Sequence, residues 1–246
     1  MTPAIASLPV SYQDVADAAD RIRALIVETP LLEVTELSEA IGGRIFVKCE
    51  NLQRTGSFKL RGGMNALSSL TAEERAKGVV AYSSGNHAQG VAAAARHFGV
   101  PATIIMPEDA PAIKKANTKA LGADVVTYDR YSESREELGQ RFQERTGAAL
   151  IPPYDYLPTM LGQGTSAIEV TNQLRARGLS LDTAVICCGG GGLAGGSALV
   201  FNTTFPQARV WAAEPDTHDD TQRSLQAGQR VSNDPQARTI CDALLT

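Results

Sequence analysis

The sequence predicts an α/β protein built on open, mainly parallel sheets with helices on both faces. Two observations support this fold class. In residues 78–153, apolar segments rich in β-branched residues alternate with segments of helical periodicity, and the alternation resumes in residues 182–215. A single helix between consecutive strands requires a right-handed crossover, which leaves the strands parallel in one sheet.

The ends of the predicted elements carry residues that favour helix termini. Gly99, Gly122 and Gly147 follow predicted helices as C-terminal caps, and Ser134 with Glu137 matches a capping box. The predicted strands are 44–50, 78–83, 102–107, 124–129, 148–153, 182–188 and 208–215. The predicted helices are 12–27, 34–41, 87–98, 110–121, 134–147 and 193–205, with another that begins near Lys59.

The order of these elements predicts two domains. We expect the strand at 44–50 to join the later elements and not the middle ones. This gives a large, discontinuous domain of residues 1–66 and 155–246 around a small α/β domain of residues 67–154. No further helix follows the last strand to cover its sheet, so the large domain is expected to be incomplete at its C-terminal end.

Composition and charge narrow the class of protein. The chain of 246 residues is 43% hydrophobic and 20% charged, which is ordinary for a globular protein. Its net charge of −4 argues against nucleic acid or an anionic membrane surface as a partner. No apolar run approaches the ~20 residues that span a bilayer, and no secretion signal is recognised. The four cysteines form no CxxC pair, so we expect buried free thiols in a reducing cytoplasm.

Residues 189–192 are four consecutive glycines between a predicted strand and a predicted helix. Their N–H groups and the helix N-terminus suit a phosphate group. Two alternatives remain open. Gly190, Gly192 and Gly195 fit the GxGxxG pattern of dinucleotide-binding enzymes, with Glu214 after the next strand as the ribose-binding acid. The second alternative is that the glycines serve only tight packing between helix and sheet.

A second polar loop, SSGNHAQG, lies where another predicted strand passes into a helix. Hydroxyl, amide and backbone donors converge at the helix N-terminus, where the helix dipole favours negative charge. This arrangement suits a carboxylate. Helix capping is the simpler alternative, but one serine or asparagine would satisfy it. The polar residues of this loop are Ser83, Ser84, Asn86, His87 and Gln89.

Lys59 lies in the segment ENLQRTGSFKLRGG, at the predicted start of a helix. A phosphate loop and a carboxylate loop together indicate a phosphorylated cofactor and an amino-acid substrate. A lysine between them can form a Schiff base with an aldehyde, and can act as a base where burial lowers its pKa. Phe58 would offer an aromatic face to a flat ring. Taken alone, Lys59 is explained as well by a solvated surface lysine.

Together the segments resemble the pyridoxal-phosphate enzymes of the threonine dehydratase and serine racemase family, which have fold type II, similar to the tryptophan synthase β-subunit. The resemblance runs from about residue 27 to the end of the chain. The motifs occur in the order of the family, and they are ENLQRTGSFKLRG, SSGNHAQGVA, GQGT at 162–165, CGGGGLAGG and AAEP.

The resemblance implies roles for individual residues. Lys59 would hold pyridoxal 5′-phosphate covalently, Phe58 would pack on its ring, and Asn86 would bond its phenolic oxygen. The phosphate would lie on the glycine loop, which consists of Gly189, Gly190, Gly191 and Gly192. The substrate carboxylate would meet Ser83, Asn86 and His87. Ser84 is at the position where the racemase branch has its second acid–base group.

A metal site is implied in the segment EPDTHDD. Relatives of the serine racemase branch bind a divalent cation there, and the matching positions are Glu214, His218 and Asp220, the middle one through its main-chain oxygen. Oxygen ligands of this kind suit Mg²⁺ or Ca²⁺. A solvated acidic turn is an equally good account of these residues from the sequence alone.

The implied reaction is β-elimination of water from a hydroxy-amino acid such as L-threonine or L-serine, which yields a 2-oxo acid and ammonia. Serine racemisation and hydroxyaspartate dehydration are further activities that the motifs allow. The resemblance implies a cytoplasmic homodimer that acts on a small amino acid, with no nucleic acid or membrane as partner. A non-catalytic relative and a dinucleotide-binding oxidoreductase are the alternatives.

The chain departs from the family near its end. Cys241, Asp242 and Ala243 replace the usual ADG, and the methyl group of Ala243 is expected near the cofactor ring. The family's chain also continues beyond Thr246, with a segment that completes the large domain.

Overall fold

Alternating strands and helices dominate the computed structural model, which describes residues 10–234 and 236–244. The strands in these ranges are β1 (Leu31–Glu33), β2 (Phe46–Lys48), β3 (Val79–Tyr82), β4 (Ala102–Pro107), β5 (Asp124–Tyr128), β6 (Ala149–Leu150), β7 (Thr183–Cys187) and β8 (Arg209–Ala213). The helices are α1 (Tyr12–Ile22), α2 (Thr35–Ile41), α3 (Lys59–Ser69), α4 (Ala72–Ala76), α5 (Asn86–Phe98), α6 (Ala112–Ala120), α7 (Arg135–Thr146), α8 (Leu157–Arg175), α9 (Gly192–Thr204) and α10 (Asp220–Ala227). None of the described helices has the length and apolarity to cross a membrane.

The middle of the chain forms a four-stranded sheet in the order β5-β4-β3-β6, with every neighbouring pair parallel. The predicted α/β class and parallel middle sheet are therefore confirmed. Parallel strands end at the same edge of a sheet, so the loops after β3 and β6 emerge side by side. These loops begin with Ser83 and Ile151, and both approach the candidate site.

Helices α3, α5, α8 and α9 approach one another closely at glycines. A side chain at Gly63 of α3 would come within 2.7 Å of the carbonyl oxygen of Gly90 in α5. A side chain at Gly164 of α8 would come within 2.7 Å of the carbonyl oxygen of Gly196 in α9. Only glycine permits such a short separation between helix backbones. Gly164 of the GQGT segment thus allows α8 to pack closely against α9, the helix that follows the glycine loop.

Strand β2 pairs with its neighbour in the chain. It lies antiparallel to β1, with Leu31 opposite Lys48, and stays outside the middle sheet. The three-residue β1 lies close in the chain and supplies the backbone partners that β2 needs. The contact of β2 with later elements is made by side chains, since Lys48 Nζ donates a 2.5 Å hydrogen bond to Glu169 Oε2 in α8.

Strands β7 and β8 form a separate parallel pair. Apolar side chains of this pair are exposed to solvent, since Val185 is 70% exposed and Trp211 is 56% exposed. The boundaries of the two predicted domains stay a prediction, and residues 1–9, 235, 245 and 246 lie outside the described residues.

The cysteines only partly match the expectation of buried thiols. Cys49 and Cys188 are buried, whereas Cys187 and Cys241 are exposed. Cys187 ends β7 on the same face as the exposed Val185, and it also lines the candidate site.

Candidate active site

One cavity of about 320 Å³ brings the three predicted loops together. Its walls come from the segment before α3, the β3–α5 loop, the β7–α9 loop and the segment after β6. All the residues predicted to serve catalysis, cofactor and substrate line this cavity, namely Phe58, Lys59, Ser83, Ser84, Asn86, His87, Gly189, Gly190, Gly191 and Gly192. Ala243, expected near the cofactor ring, lines it too.

Lys59 is the first residue of α3 and projects its amine into the cavity wall. Lys59 Nζ donates a 2.9 Å hydrogen bond to the carbonyl oxygen of Pro153, and it lies 5.4 Å from the centre of the Phe58 ring. Burial lowers the pKa of Lys59 to about 8, while the nearby Cys187 acts in the opposite direction. At pH 7 about a tenth of this lysine is therefore neutral and nucleophilic, far more than for a solvated lysine.

The β3–α5 loop presents an open helix N-terminus to the cavity. The N-cap residue of α5 is Gly85, and no side-chain hydrogen bond caps the helix there. Ser83 Oγ instead accepts a 3.1 Å hydrogen bond from the N–H group of Gly85. The polar side chains of this loop are not used as helix caps, which argues against the simpler account of the segment.

The side chain of His87 is too deeply buried to contact a substrate directly. It is 2% exposed, and its Nε2 lies 2.9 Å from the carbonyl oxygen of Ile151. Burial lowers the pKa of His87 to about 3, with Lys59 adding to the effect. The ring is neutral, so Nε2 must donate to the carbonyl and Nδ1 keeps a lone pair. Nδ1 has no partner among the described residues, and the backbone N–H remains the donor for a carboxylate.

The glycine loop lies against Tyr154 in the wall of the cavity. Gly191, the N-cap of α9, has φ of 79°, a left-handed conformation that glycine adopts at little cost. A side chain at Gly190 would come within 2.1 Å of Tyr154 Cγ. Gly190 therefore approaches a residue of the cavity and not the sheet. This argues against the alternative that these glycines serve only tight packing between helix and sheet.

A buried ion network supports the helix that carries Lys59. The Arg61 side chain is fully buried and bonds the carboxylates of Glu50 and Glu169 at 2.7–2.8 Å. Glu50 is the first residue of the lysine segment and Glu169 lies in α8. These charge-assisted bonds join both to the first turn of α3, so the position of Lys59 depends on them.

The residues of the predicted metal site lie outside the cavity lining. Glu214 accepts hydrogen bonds from the N–H groups of Thr221 and Gln222 at 3.0 and 2.9 Å. Asp220 accepts one from Asn233 at 2.7 Å. The described part of the chain contains no group of three histidine, cysteine or acidic side chains arranged for a metal ion. A site that uses the main-chain oxygen of His218 stays a prediction.

The position of Glu214 also bears on the dinucleotide alternative. The acid that would bind a ribose is not among the residues that line the cavity, and its carboxylate is bound to backbone groups of α10. The GxGxxG pattern therefore lacks its acidic partner.

Sequence reasoning assigned no role to several residues that line the site, among them Lys114, Arg135, Pro153 and Tyr154. Pro153 and Tyr154 follow β6, and the rule that sites form at the carboxyl edge of parallel strands could have found them. Lys114 and Arg135 lie in α6 and α7. No motif marks them, because their placement depends on how these helices pack on the sheet.

The fold and cavity define a class of enzyme that attaches an anionic aldehyde cofactor to a lysine. A helix N-terminus with a glycine loop suits the anion, and a lysine of lowered pKa suits the aldehyde. The sequence model of the family described as pyridoxal-phosphate dependent enzymes matches residues 22–246, and the chain belongs to this family.

Individual relatives agree with that assignment. The chain is 45% identical over 237 residues to the L-threo-3-hydroxyaspartate ammonia-lyase of Saccharomyces cerevisiae, covering 96% of this chain and 71% of the relative. The structure of maize serine racemase superposes with a TM-score of 0.91 at 39% identity, covering 96% of this chain and 70% of that one. The threonine deaminase isoform 2 of Solanum lycopersicum, in its processed form, gives a TM-score of 0.87 at 35% identity, with 95% and 63% covered. The predicted family and fold type are confirmed.

The residues present fit pyridoxal phosphate. Besides Lys59 and the glycine loop, Ser57 lines the cavity with a buried Oγ that has no hydrogen-bond partner in the described chain. Buried polar atoms are rarely left unsatisfied, so an orphan at this position is consistent with a polar ligand.

Proposed function

We propose that this protein removes water from a small hydroxy-amino acid, such as L-threonine or L-serine, and yields a 2-oxo acid and ammonia. The observation that carries the proposal is the amine of Lys59, whose pKa is lowered to about 8, in one cavity with the open N-terminus of α5. The amine is suited to move a proton, and the helix N-terminus is suited to hold an amino-acid carboxylate.

The cofactor-holding residues are proposed as follows. Lys59 binds pyridoxal phosphate covalently, Phe58 packs on the ring, and Asn86 bonds the ring oxygen. The phosphate lies on residues 189–192, which line the cavity at the N-terminus of α9. Pyridoxal phosphate, when bound, supplies an electron sink for charge that develops at the substrate α-carbon.

The chain's own groups bind and orient the substrate. The hydroxyl of Ser83, the amide of Asn86 and the backbone N–H of His87 hold the carboxylate at the N-terminus of α5, where the helix dipole favours it. The α-carbon then lies within reach of Lys59 Nζ, which takes its proton. The hydrogen bond to Pro153 uses an N–H of Lys59, so the lone pair of the neutral amine stays available to take the proton.

Racemisation is a second candidate activity, and Ser84 supports it. Ser84 lines the cavity together with Lys59, and its hydroxyl can donate a proton to the α-carbon. D-serine should form from L-serine, and Ser84→Ala should stop this while loss of water continues. Unchanged racemisation in Ser84→Ala would exclude Ser84 as the second acid–base group.

Lys59→Ala tests the main proposal. The purified wild type with pyridoxal phosphate should show visible absorbance that changes on addition of L-serine or L-threonine, with accumulation of 2-oxo acid. Lys59→Ala should lose both signals, whereas the surface variant Lys77→Ala should keep them. Full turnover by Lys59→Ala would overturn the proposal. A stable cofactor absorbance without turnover of any hydroxy-amino acid by the wild type would favour a non-catalytic relative.

Three further properties are proposed, two from the family resemblance and the domain division from the order of the elements. We propose a homodimer, which light scattering of the purified protein would test. We propose the domain division at 1–66 with 155–246 and 67–154, which limited proteolysis would test. Glu214, Asp220 and the main-chain oxygen of His218 are proposed as ligands of Mg²⁺ or Ca²⁺, and calorimetric titration with either ion would test them.

A further inference from the structure

A second cavity opens on the outside of the middle sheet, between the edge strand β5 and helix α7. It is a groove of about 270 Å³, and it shares no lining residue with the candidate active site. Its lining includes four apolar side chains and two arginines, and these residues are Ile105, Val126, Leu138, Phe142, Arg141 and Arg145. The proposed function gives no role to this β5–α7 groove.

The floor of the β5–α7 groove is apolar because α7 covers only part of the sheet. Helix α7 packs against β3, β4 and β6. Ile105 in β4 is 2% exposed, whereas Val126, its partner in register on β5, is 46% exposed. Paired residues point to the same face of a sheet, so both lie on the side that α7 occupies. Apolar surface is therefore left open along the edge strand.

Strand β5 also has an open backbone edge. It is the last strand in the order β5-β4-β3-β6, and within the described residues only β4 pairs with it. An edge strand presents unpaired N–H and C=O groups, and natural proteins protect such edges with charges, prolines or bulges. The strand sequence DVVTY has a charge only at its first residue, Asp124, and no proline. Asp124, Val126 and Thr127 are exposed, so the edge is accessible to an added strand.

Two arginines that line the groove have no carboxylate partner. Arg141 and Arg145 are one turn apart in α7, and neither forms an ion pair within the part of the chain that the structure describes. The guanidinium of Arg145 lies 5.1 Å from the ring centre of Phe142. In contrast, Arg135 of the same helix pairs with Glu136. The helix dipole explains a cation at Arg145, in the last turn, but not at Arg141 in the middle of the helix.

The spacing of the two arginines matches an extended chain. Residues four apart in a helix are ~6 Å apart along its axis, and alternate residues of a strand are about 6.5–7 Å apart on one face. A strand added to β5 would point alternate side chains towards the α7 side of the sheet. Acidic residues at two such positions would meet Arg141 and Arg145, and an apolar residue at the next would lie on Val126 and Phe142. A small anion would use the arginines alone and leave the strand edge unpaired.

We propose that the β5–α7 groove binds an acidic, extended peptide segment of a partner protein as an additional strand on β5. Main-chain hydrogen bonds to β5 provide affinity, and the alternate side chains provide specificity. Arg141 and Arg145 bind two carboxylates through charge-assisted hydrogen bonds. The segment has the pattern acidic-x-acidic-x-apolar. This interaction lies apart from the candidate active site and does not depend on the proposed function.

Synthetic peptides labelled with fluorescein test this pattern. The peptide TETEVLT places both glutamates and the leucine on one face of a strand, whereas TEETVLT has the same composition and puts the glutamates on opposite faces. Fluorescence anisotropy with the purified chain, loaded with pyridoxal phosphate, at ~0.15 M salt measures both affinities. TETEVLT should bind at least about tenfold more tightly. Equal affinities would overturn the inference, because charge alone would then account for the binding.

Substitutions of the arginines test the groove. Arg141→Met and Arg145→Met should each weaken the binding of TETEVLT about five- to tenfold. The control Lys119→Met removes one positive charge from α6, which contributes no residue to the groove, and should leave the affinity unchanged. The double variant Arg141→Glu with Arg145→Glu should lose TETEVLT and gain TKTKVLT, an exchange that a misfolded variant would not show. Unchanged affinity in both single variants, or failure of this exchange, would refute the proposed contacts.

Amide hydrogen exchange tests the added strand itself. TETEVLT should slow exchange at least about fivefold for those backbone amides of residues 124–128 that face away from β4, measured by NMR of the isotope-labelled chain. Binding of TETEVLT without protection of β5 would overturn the inference. Displacement of the peptide by an equal concentration of citrate would also overturn it, since the arginines would then serve a small anion.

Discussion

The amine of Lys59 donates a 2.9 Å hydrogen bond to the carbonyl oxygen of Pro153. Lys59 begins α3, and Pro153 follows β6 at the carboxyl edge of the middle sheet. The bond compensates part of the cost of burying an amine, and it holds Nζ in the wall of the cavity. The lysine amine thus lies in the same cavity wall as the glycine loop and the β3–α5 loop.

The pH dependence of cofactor attachment follows from the pKa of Lys59. Only the neutral amine attacks an aldehyde, so the attachment rate should rise with pH, level off above about 8, and fall about tenfold per unit below that. Stopped-flow recording of visible absorbance after mixing the cofactor-free protein with pyridoxal phosphate measures the rate. A midpoint near the unperturbed value of 10.5 would show that the lysine is solvated.

Gly190→Ala should interfere with the glycine loop. The new methyl group would lie 2.1 Å from Tyr154 Cγ, so the Tyr154 ring or the loop must move. Pyridoxal phosphate affinity should fall at least about tenfold, because the loop amides lose their alignment. Fluorescence titration of the cofactor-free variant with pyridoxal phosphate measures this affinity.

The control for that substitution is Gly43→Ala, where an added side chain meets nothing within 4 Å. It should leave cofactor affinity unchanged. Adding Tyr154→Ala to Gly190→Ala should recover part of the lost affinity, because the ring that causes the clash is gone. Equal affinity of the Gly190→Ala variant and the wild type would mean that Tyr154 moves freely.

Arg61→Met should destabilise the fold. The substitution leaves Glu50 and Glu169, whose side chains are each 14% exposed, without their shared cation. Removing one partner from a buried ion network costs about 3–5 kcal/mol, measured as the free energy of unfolding in urea. Arg44→Met breaks the exposed pair with Glu33 and should have a much smaller effect, because solvent screens that pair. Equal effects of the two substitutions would contradict the structural role of the network.

Acid should destabilise the protein through His87. Its pKa is about 3 in the folded chain and 6.5 in the unfolded one, so the unfolded state takes up the proton first as the pH falls. The stability contribution of the neutral ring is complete above 6.5 and declines between 6.5 and 3. His87→Gln should flatten the dependence of melting temperature on pH in this window. An unchanged slope would mean that other groups cause the acid sensitivity.

The elements that the sequence predicted well have clear local signals. The strand at 102–107 is reproduced as β4, and the helix predicted at 87–98 begins one residue earlier as α5 and is followed by Gly99 in the left-handed conformation. Alternating apolar runs and glycine caps are properties of a few neighbouring residues, which is why they can be recognised in the chain alone.

Helix α8 shows why other elements were missed. Its 19 residues bury polar side chains such as Gln163 and Thr165 in addition to apolar ones. A helix packed on several neighbours has no exposed polar face and therefore no hydrophobic periodicity. The pairing of β2 with β1 was missed for a related reason, since a three-residue strand has too little sequence to be recognised.

For this protein, the sequence by itself determined the α/β class, the three site loops and the lysine at their centre, because each has a chemical signature within about a dozen residues. The tertiary structure decided how those loops meet. It lowered the pKa of Lys59 through burial, placed the ring of His87 against Ile151, and brought Lys114 and Arg135 to the cavity wall. Burial and charge in a cavity arise between segments distant in the chain, so no local pattern encodes them.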